Sequence, residues 1–347
     1  MVSMNILQDV PLKDYSTMRL GGKARNLLEI HERKQIEEAI SWAVEHQTPP
    51  LMIGGGSNII WRDEGFDGLL LINKIMGYEE FNEDELNTYL TIGAGENWDS
   101  VVERSVKAGL SGIEALSLIP GTAGATPIQN VGAYGQEIAD TLVSIEAYDL
   151  HERKFVAIPA SECQFGYRTS RFKTTDRDRF LISSITLHLV RQNPEPPFYR
   201  ALGEYLAVRH KGKTYTPQII RGAVIDIRSH KLPDPAKVAN TGSFFANPII
   251  TEALLTDLQA AYPDIPHWPT SQPGHIKVPA AWLIENAGFK DTHDKATGMA
   301  TWKMQPLVLV NEHAKTTADL MKFRDGVIAA VSKKFQITLE QEPELLP

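Results

Sequence analysis

Residues 118–135, LIPGTAGATPIQNVGAYG, hold four glycines and two prolines with almost no charge. Gly121, Gly124, Gly132 and Gly135 allow positive φ and a close approach of backbone to a ligand, while Thr122, Gln129 and Asn130 add neutral hydrogen-bonding groups. An apolar loop rich in amide N–H groups suits a flat heterocycle with a pyrophosphate tail. Taken alone, such a loop could equally do no more than turn the chain. A second cluster, Gly54, Gly55, Gly56, Ser57 and Asn58, follows the short apolar run 51–53. It lacks the G-x-G-x-x-G spacing, and the following Ile59, Ile60 and Trp61 do not open a helix, which argues against a dinucleotide fold of the doubly wound type.

Three further groups could act on a substrate. Tyr167 and Arg168 follow Gly166, and the planar guanidinium suits bidentate binding of a carboxylate, although the same basic run also reads as a solvated strand end. Ser243 lies between Gly242 and the pair Phe244 and Phe245, where a serine is ordinarily a turn residue. The stretch 339–347, LEQEPELLP, has the composition of an acidic tail.

Together these motifs, from Met18 to Glu342, resemble the FAD-binding family that includes vanillyl-alcohol oxidase. Within it they are most similar to the UDP-N-acetylenolpyruvoylglucosamine reductases. The resemblance implies non-covalent FAD held by Gly54, Gly55, Gly56, Ser57, Asn58, Ile119, Pro120, Gly121, Thr122, Gly124, Gln129, Asn130, Gly132, Ala133, Arg228 and Gly242. It implies NADPH as hydride donor, leaving before the enolpyruvyl nucleotide sugar enters. Arg168 would contact the enolpyruvyl carboxylate and Ser243 would act as general acid. Lys231 and Asn247 would hold the diphosphate, with Tyr134, Tyr167, Lys290 and Gln305 also on the substrate. The family's tail pattern is leucine, any residue, proline, glutamate. Aligning Leu339 with that leucine selects Glu342 and leaves Gln341 in the proline's place, with Glu344 and Glu340 as other candidates. Some relatives close a loop tyrosine over the substrate; Leu202 aligns there, and Tyr199 or Tyr205 could replace it.

The elements that would carry these residues can be read from periodicity. Apolar spacing predicts helices over 35–46, 98–108, 216–227, 280–287 and 316–335, the last capped by Thr316. Strands are expected at 51–53, 68–73, 89–92, 142–148, 185–189 and 306–311, and a strand-like run at 336–339. The prolines of 193–197 are the clearest mid-chain break. Mixed order without regular βαβ alternation predicts an α+β fold. The expected parts are 1–75 and 76–215 for the cofactor, with 336–347 joining the first, and 216–335 for the substrate.

At 347 residues the chain is long for one core. Its net charge of −8 argues against a nucleic-acid surface. One cysteine, Cys163, excludes an internal disulfide, and no Cys/His spacing suggests a metal site. With neither a leader pattern in residues 1–10 nor a membrane-length apolar run, a cytoplasmic monomer is expected. Two other functions fit the same motifs: an FAD-dependent oxidase acting on an alcohol or sugar, and a non-catalytic flavin-binding protein.

Overall fold

The computed structural model describes residues 4–270 and 272–347, so the first three residues of the stretch read for a leader lie outside it. The chain forms two compact units. One comprises the residues up to Val10, Ala24–Gly55 and Phe66–Ser229; the other comprises Pro11–Lys23, Gly56–Gly65 and His230–Pro347.

The first unit contains two sheets. Lys23–Ile30 and Pro50–Ile53 flank Phe66–Asn73, both pairings parallel, and Leu7–Pro11 lies outermost. Helix Arg33–Glu45 buries Ile36, Ala39, Ile40 and Ala43 against this sheet, the face expected from its apolar spacing. The second sheet is antiparallel, in the order Lys154–Pro159, Leu142–Asp149, Phe180–Val190, Asn87–Gly93 and Tyr78–Asn82. Helix Trp98–Lys107 starts at Asn97, whose side chain accepts the Ser100 amide, and buries Trp98, Val101, Val102 and Val106. The proline-rich run 193–197 interrupts regular structure without ending this unit. Helices Arg200–Arg209 and Pro217–Lys231 follow and pack Leu202, Leu206, Ile220 and Val224 beside Ala115 and Tyr134.

The second unit is built on the antiparallel sheet Ala239–Ser243, Gln305–Asn311, Met299–Trp302 and His293–Asp294. Helix Thr317–Phe335 has the expected Thr316 cap, completed by Asp319 in a capping box. Leu320, Phe323, Val327, Val331 and Phe335 enter a core with Phe244, Phe245 and Leu283. Helix Ala280–Ile284 is shorter than expected and continues as a π turn through Gly288, at φ 93°. The strand expected at 336–339 does not form. Gln336 takes a left-handed cap conformation, and residues 337–340 join no strand. The regular strand comes later, at Glu344–Leu346, parallel to Ile59–Trp61.

Mixed parallel and antiparallel sheets with interspersed helices give the α+β class. Among the described residues, no helix is long and apolar enough to cross a membrane, and no group of three or more His, Cys, Asp or Glu could hold a metal ion.

Candidate functional site

The two glycine clusters meet in the first unit. A Cβ on Gly54 would overlap Thr122 Oγ1, and one on Gly55 would come within 3.2 Å of Gly121 Cα. A side chain at Gly54 would displace Thr122, and one at Gly55 would press on the Gly121 backbone. Gly124 is equally constrained, its amide donating to Ala94 O at 2.9 Å, with no room for a side chain against Ala94. Trp98 N donates to Gly121 O at 3.1 Å, which ties the loop to a helix start.

Residues 118–135 also concentrate unusual backbone. Leu118, Asn130 and Tyr134 have φ of 56°, 49° and 49°. For side chains other than glycine such values carry strain and cluster at ligand sites. Leu118 is held at both ends of its residue: its amide donates to Asp99 Oδ1 at 2.7 Å, and its carbonyl accepts Arg228 at 3.2 Å. Asp99 in turn pairs with Arg221 at 2.6 and 3.0 Å, and Arg221 also reaches Ser117 Oγ at 2.8 Å. Burial pushes the Asp99 carboxyl up, but the Arg221 guanidinium and the Leu118 amide outweigh it and hold the group below the usual aspartate value. Neither Asp99 nor Arg221 belongs to a motif, and a pair so far apart in the chain leaves no local signal.

Asn130 is buried with its side chain committed to the protein. It donates to Glu137 at 2.7 Å and Gly166 O at 3.1 Å, and accepts from Ala139 N at 3.1 Å. Through Asn130 the loop carrying Tyr167 and Arg168 docks on the glycine loop 118–135. Ser170 Oγ donates to Ile128 O at 2.6 Å, and Arg168 donates to Gly132 O at 2.9 Å, itself at φ 53°. The structure therefore brings the Tyr-Arg motif to Gly132, Ala133 and Tyr134. Tyr134 packs edge-on against Tyr199, ring centroids 5.9 Å apart, and burial raises its phenol pKa against the opposing effect of Arg228. Leu202 is buried, and Tyr205 is hydrogen-bonded to Asp226 at 2.5 Å.

Among the described residues, four buried polar atoms of this unit have no hydrogen-bond partner, and two of them, Thr122 Oγ1 and Arg228 Nε, belong to predicted cofactor residues. Burial lowers the Arg228 pKa, as expected of a cation short of counter-charge. Uncharged glycine loops, an orphaned hydroxyl and an under-compensated guanidinium fit a flavin dinucleotide, with its flat ring and anionic diphosphate. Ile119 and Ala133 are partly buried against the hydrophobic core, Pro120 is exposed, and Gln129 is half-buried on the same loop.

The remaining predicted residues fall in the second unit. Gly56 accepts the Thr17 amide at 3.0 Å, Ser57 is half-buried beside it, and Asn58 O accepts the Glu344 amide at 3.0 Å. Gly242, at φ 72°, turns strand Ala239–Ser243 so that its amide reaches Asn240 Oδ1 at 2.8 Å. Ser243 pairs with Val308, and its hydroxyl makes no hydrogen bond to a described residue. The next residue is decisive for the tail: Phe244 O accepts the Glu342 amide at 2.9 Å, and Ala246 N donates to Glu340 O at 3.0 Å. Glu342 is thereby hydrogen-bonded to the residue that follows Ser243. Asn247 Oδ1 accepts the Ala280 amide at 2.9 Å, Lys290 pairs with Glu285 at 2.6 Å, and Gln305 opens the strand opposite Trp302. Lys231 ends helix Pro217–Lys231, and desolvation lowers its ammonium pKa.

Residues 24–152 match the family model described as FAD binding domain. Residues 234–346 match the one described as UDP-N-acetylenolpyruvoylglucosamine reductase, C-terminal domain. A UDP-N-acetylenolpyruvoylglucosamine reductase of Amoebophilus asiaticus is 38% identical over 343 residues, covering 99% of this chain and all of the relative. The reductase of Escherichia coli O6:H1 is 36% identical over 331 residues, covering 95% and 94%. Among solved structures, UDP-N-acetylenolpyruvylglucosamine reductase from Thermus caldophilus aligns over 99% of both chains with a TM-score of 0.67 at 22% identity, a likeness of fold.

Proposed function

Since this chain belongs to the UDP-N-acetylenolpyruvoylglucosamine reductase family, we propose that it reduces UDP-N-acetylglucosamine enolpyruvate to UDP-N-acetylmuramate. FAD is the bound cofactor and NADPH the reductant. When bound, the flavin carries hydride to the vinyl carbon of the substrate. The protein's own part is orientation and charge. Arg168 and Glu342 act on the substrate carboxylate and stabilise the enolate charge that develops beside it. Ser243, whose hydroxyl makes no hydrogen bond to a described residue, donates the proton that completes the reduction at the α-carbon. Lys231 and Asn247 bind the diphosphate, with Tyr134, Tyr167, Lys290 and Gln305 on the rest of the substrate. Gly54 to Asn58 and the loop from Ile119 to Ala133, with Arg228 and Gly242, hold the flavin nucleotide. We read the protein as a cytoplasmic monomer serving cell-wall precursor synthesis.

The observation that most supports this reading is the Glu342 amide on the Phe244 carbonyl, which joins a carboxylate-bearing residue to the residue after Ser243. The oxidase alternative has less behind it, because the full-length relatives are named as reductases and neither glycine cluster contains a His or Cys to tether flavin. Stopped-flow absorbance tests the proposal. Flavin reduced by NADPH should be reoxidised by the enolpyruvyl nucleotide sugar under anaerobic conditions. Reoxidation by oxygen alone, with no response to that substrate, would favour the oxidase.

A further inference from the structure

The tail departs from its family at Gln341, and the structure shows what that side chain does. Arg324, on helix Thr317–Phe335, donates to Gln341 Oε1 at 2.8 Å. Gln341 Nε2 donates to Pro343 O at 2.7 Å. One side chain therefore spans Glu342, anchoring the residue before it to a helix and the residue after it to itself. Below this span, Phe245 and Gln341 form an isolated antiparallel bridge whose two hydrogen bonds use the Glu342 amide and the Glu340 carbonyl. Above it, the chain enters strand Glu344–Leu346. Glu342 and Pro343 are the short link between two pairings, and the Arg324–Gln341–Pro343 chain closes that link.

We propose that Arg324 and Gln341 are positioning residues that fix the Glu342 carboxylate, doing by hydrogen bonds what a proline at 341 does by restricting φ. The proposal rests on the reading of Glu342 as the group that acts on the substrate carboxylate. It also makes a specific compatibility claim. The Gln341 amide takes no part in the bridge to Phe245, so a proline there removes no donor from it.

The test uses the full-length holoenzyme and three substitutions, Gln341→Ala, Gln341→Pro and Arg324→Gln, with Glu342→Gln as control. Single-turnover reoxidation by the enolpyruvyl substrate, flavin reduction by NADPH, and deuterium uptake of the peptide spanning 339–347 are measured for each. Gln341→Ala should slow reoxidation about tenfold, as expected for losing two hydrogen bonds that orient a reacting group. It should leave flavin reduction unchanged and raise deuterium uptake. Arg324→Gln, away from the bridge, should give a smaller effect of the same kind. Gln341→Pro should restore reoxidation to within about threefold of wild type. The proposal is overturned if Gln341→Ala reoxidises within twofold of wild type, or if Gln341→Pro is as slow as Gln341→Ala. If Glu342→Gln is crippled while Gln341→Ala is normal, the clamp alone is wrong. If both are normal, the role given to Glu342 falls with it.

Discussion

Removing the Asp99 carboxylate should loosen the cofactor loop from the inside. Asp99→Ala deletes two contacts at once, the acceptor for the Leu118 amide and the counter-charge of Arg221. The Arg221 side chain is 10% exposed and that of Asp99 28%, so the pair is largely out of water. Exposed pairs are worth about 0.2–1 kcal/mol, whereas removing one partner of a buried pair costs about 3–5 kcal/mol because the other charge is stranded. Discounting for the open side of Asp99 gives a loss of about 2–4 kcal/mol. For a unit of this size that lowers the thermal midpoint by about 5–15 °C. Leu118 would also lose one of the two bonds that hold its positive φ, so FAD should bind more weakly. Scanning calorimetry with and without FAD, together with a flavin-fluorescence titration, measures both effects. The double substitution Asp99→Leu with Arg221→Met removes both charges and should recover most of the midpoint. A single variant within 2 °C of wild type, or a double variant less stable than the single, would refute the argument.

Four other outcomes follow from the same geometry. Flavin should leave the polypeptide on acid precipitation, since the glycine clusters contain no His or Cys; colour retained in the pellet would contradict this. Arg168→Lys should slow substrate-driven reoxidation about 10- to 100-fold, a charged hydrogen bond being worth roughly 1.5–3 kcal/mol; unchanged single-turnover rates would show that the planar fork is not used. Ser243→Ala should keep NADPH-driven reduction but lose about 10²–10⁴ in reoxidation, with partial recovery in Ser243→Cys; an alanine rate within threefold of serine would remove the general-acid role. The Arg179 guanidinium, followed by backbone amides, holds the Asp149 carboxyl down at about 2 despite burial. Its contribution of about 1–2 kcal/mol is complete above roughly pH 4 and lost as pH falls through 2. Urea midpoints across that range should fall less steeply in Asp149→Asn.

The helices were legible in the sequence where apolar spacing coincided with a capping residue, as with Thr316 ahead of Leu320 and Phe323. The glycine clusters were legible as closely packed loops, but not their mutual contact, because Gly54 and Thr122 are joined by packing rather than by any shared pattern. The run 336–339 misled for a physical reason. Ile337 and Leu339 are buried while Thr338 and Glu340 are exposed, which is a strand's alternation in a segment that joins no sheet. Periodicity reports which face is covered and carries no information about ladder partners. Arg221 and Asp99 were invisible for the complementary reason: an ion pair across 122 positions leaves no local signal. The departure at Gln341 was plain in the sequence, whereas its hydrogen bonds to Arg324 and Pro343 required coordinates.

The pairing of Glu344–Leu346 with Ile59–Trp61 has a consequence for synthesis. The second unit draws on residues near both ends of the chain, and other contacts repeat the pattern: Asn311 to Met18 across 293 positions, and Thr317 to Trp61 across 256. On a ribosome, the strand Ile59–Trp61 emerges long before its partner exists. Closing so large a loop costs about 5 kcal/mol in chain entropy, and such distant contacts form slowly. The first unit, whose sheets are complete once Val190 has emerged, can condense early. Ile60 and Trp61, both fully buried in the finished protein, must wait uncovered until Thr317 and the strand Glu344–Leu346 have been made. A nascent-chain arrest series should show protease resistance appearing in two steps, the later one requiring residues beyond Glu344 to clear the exit tunnel.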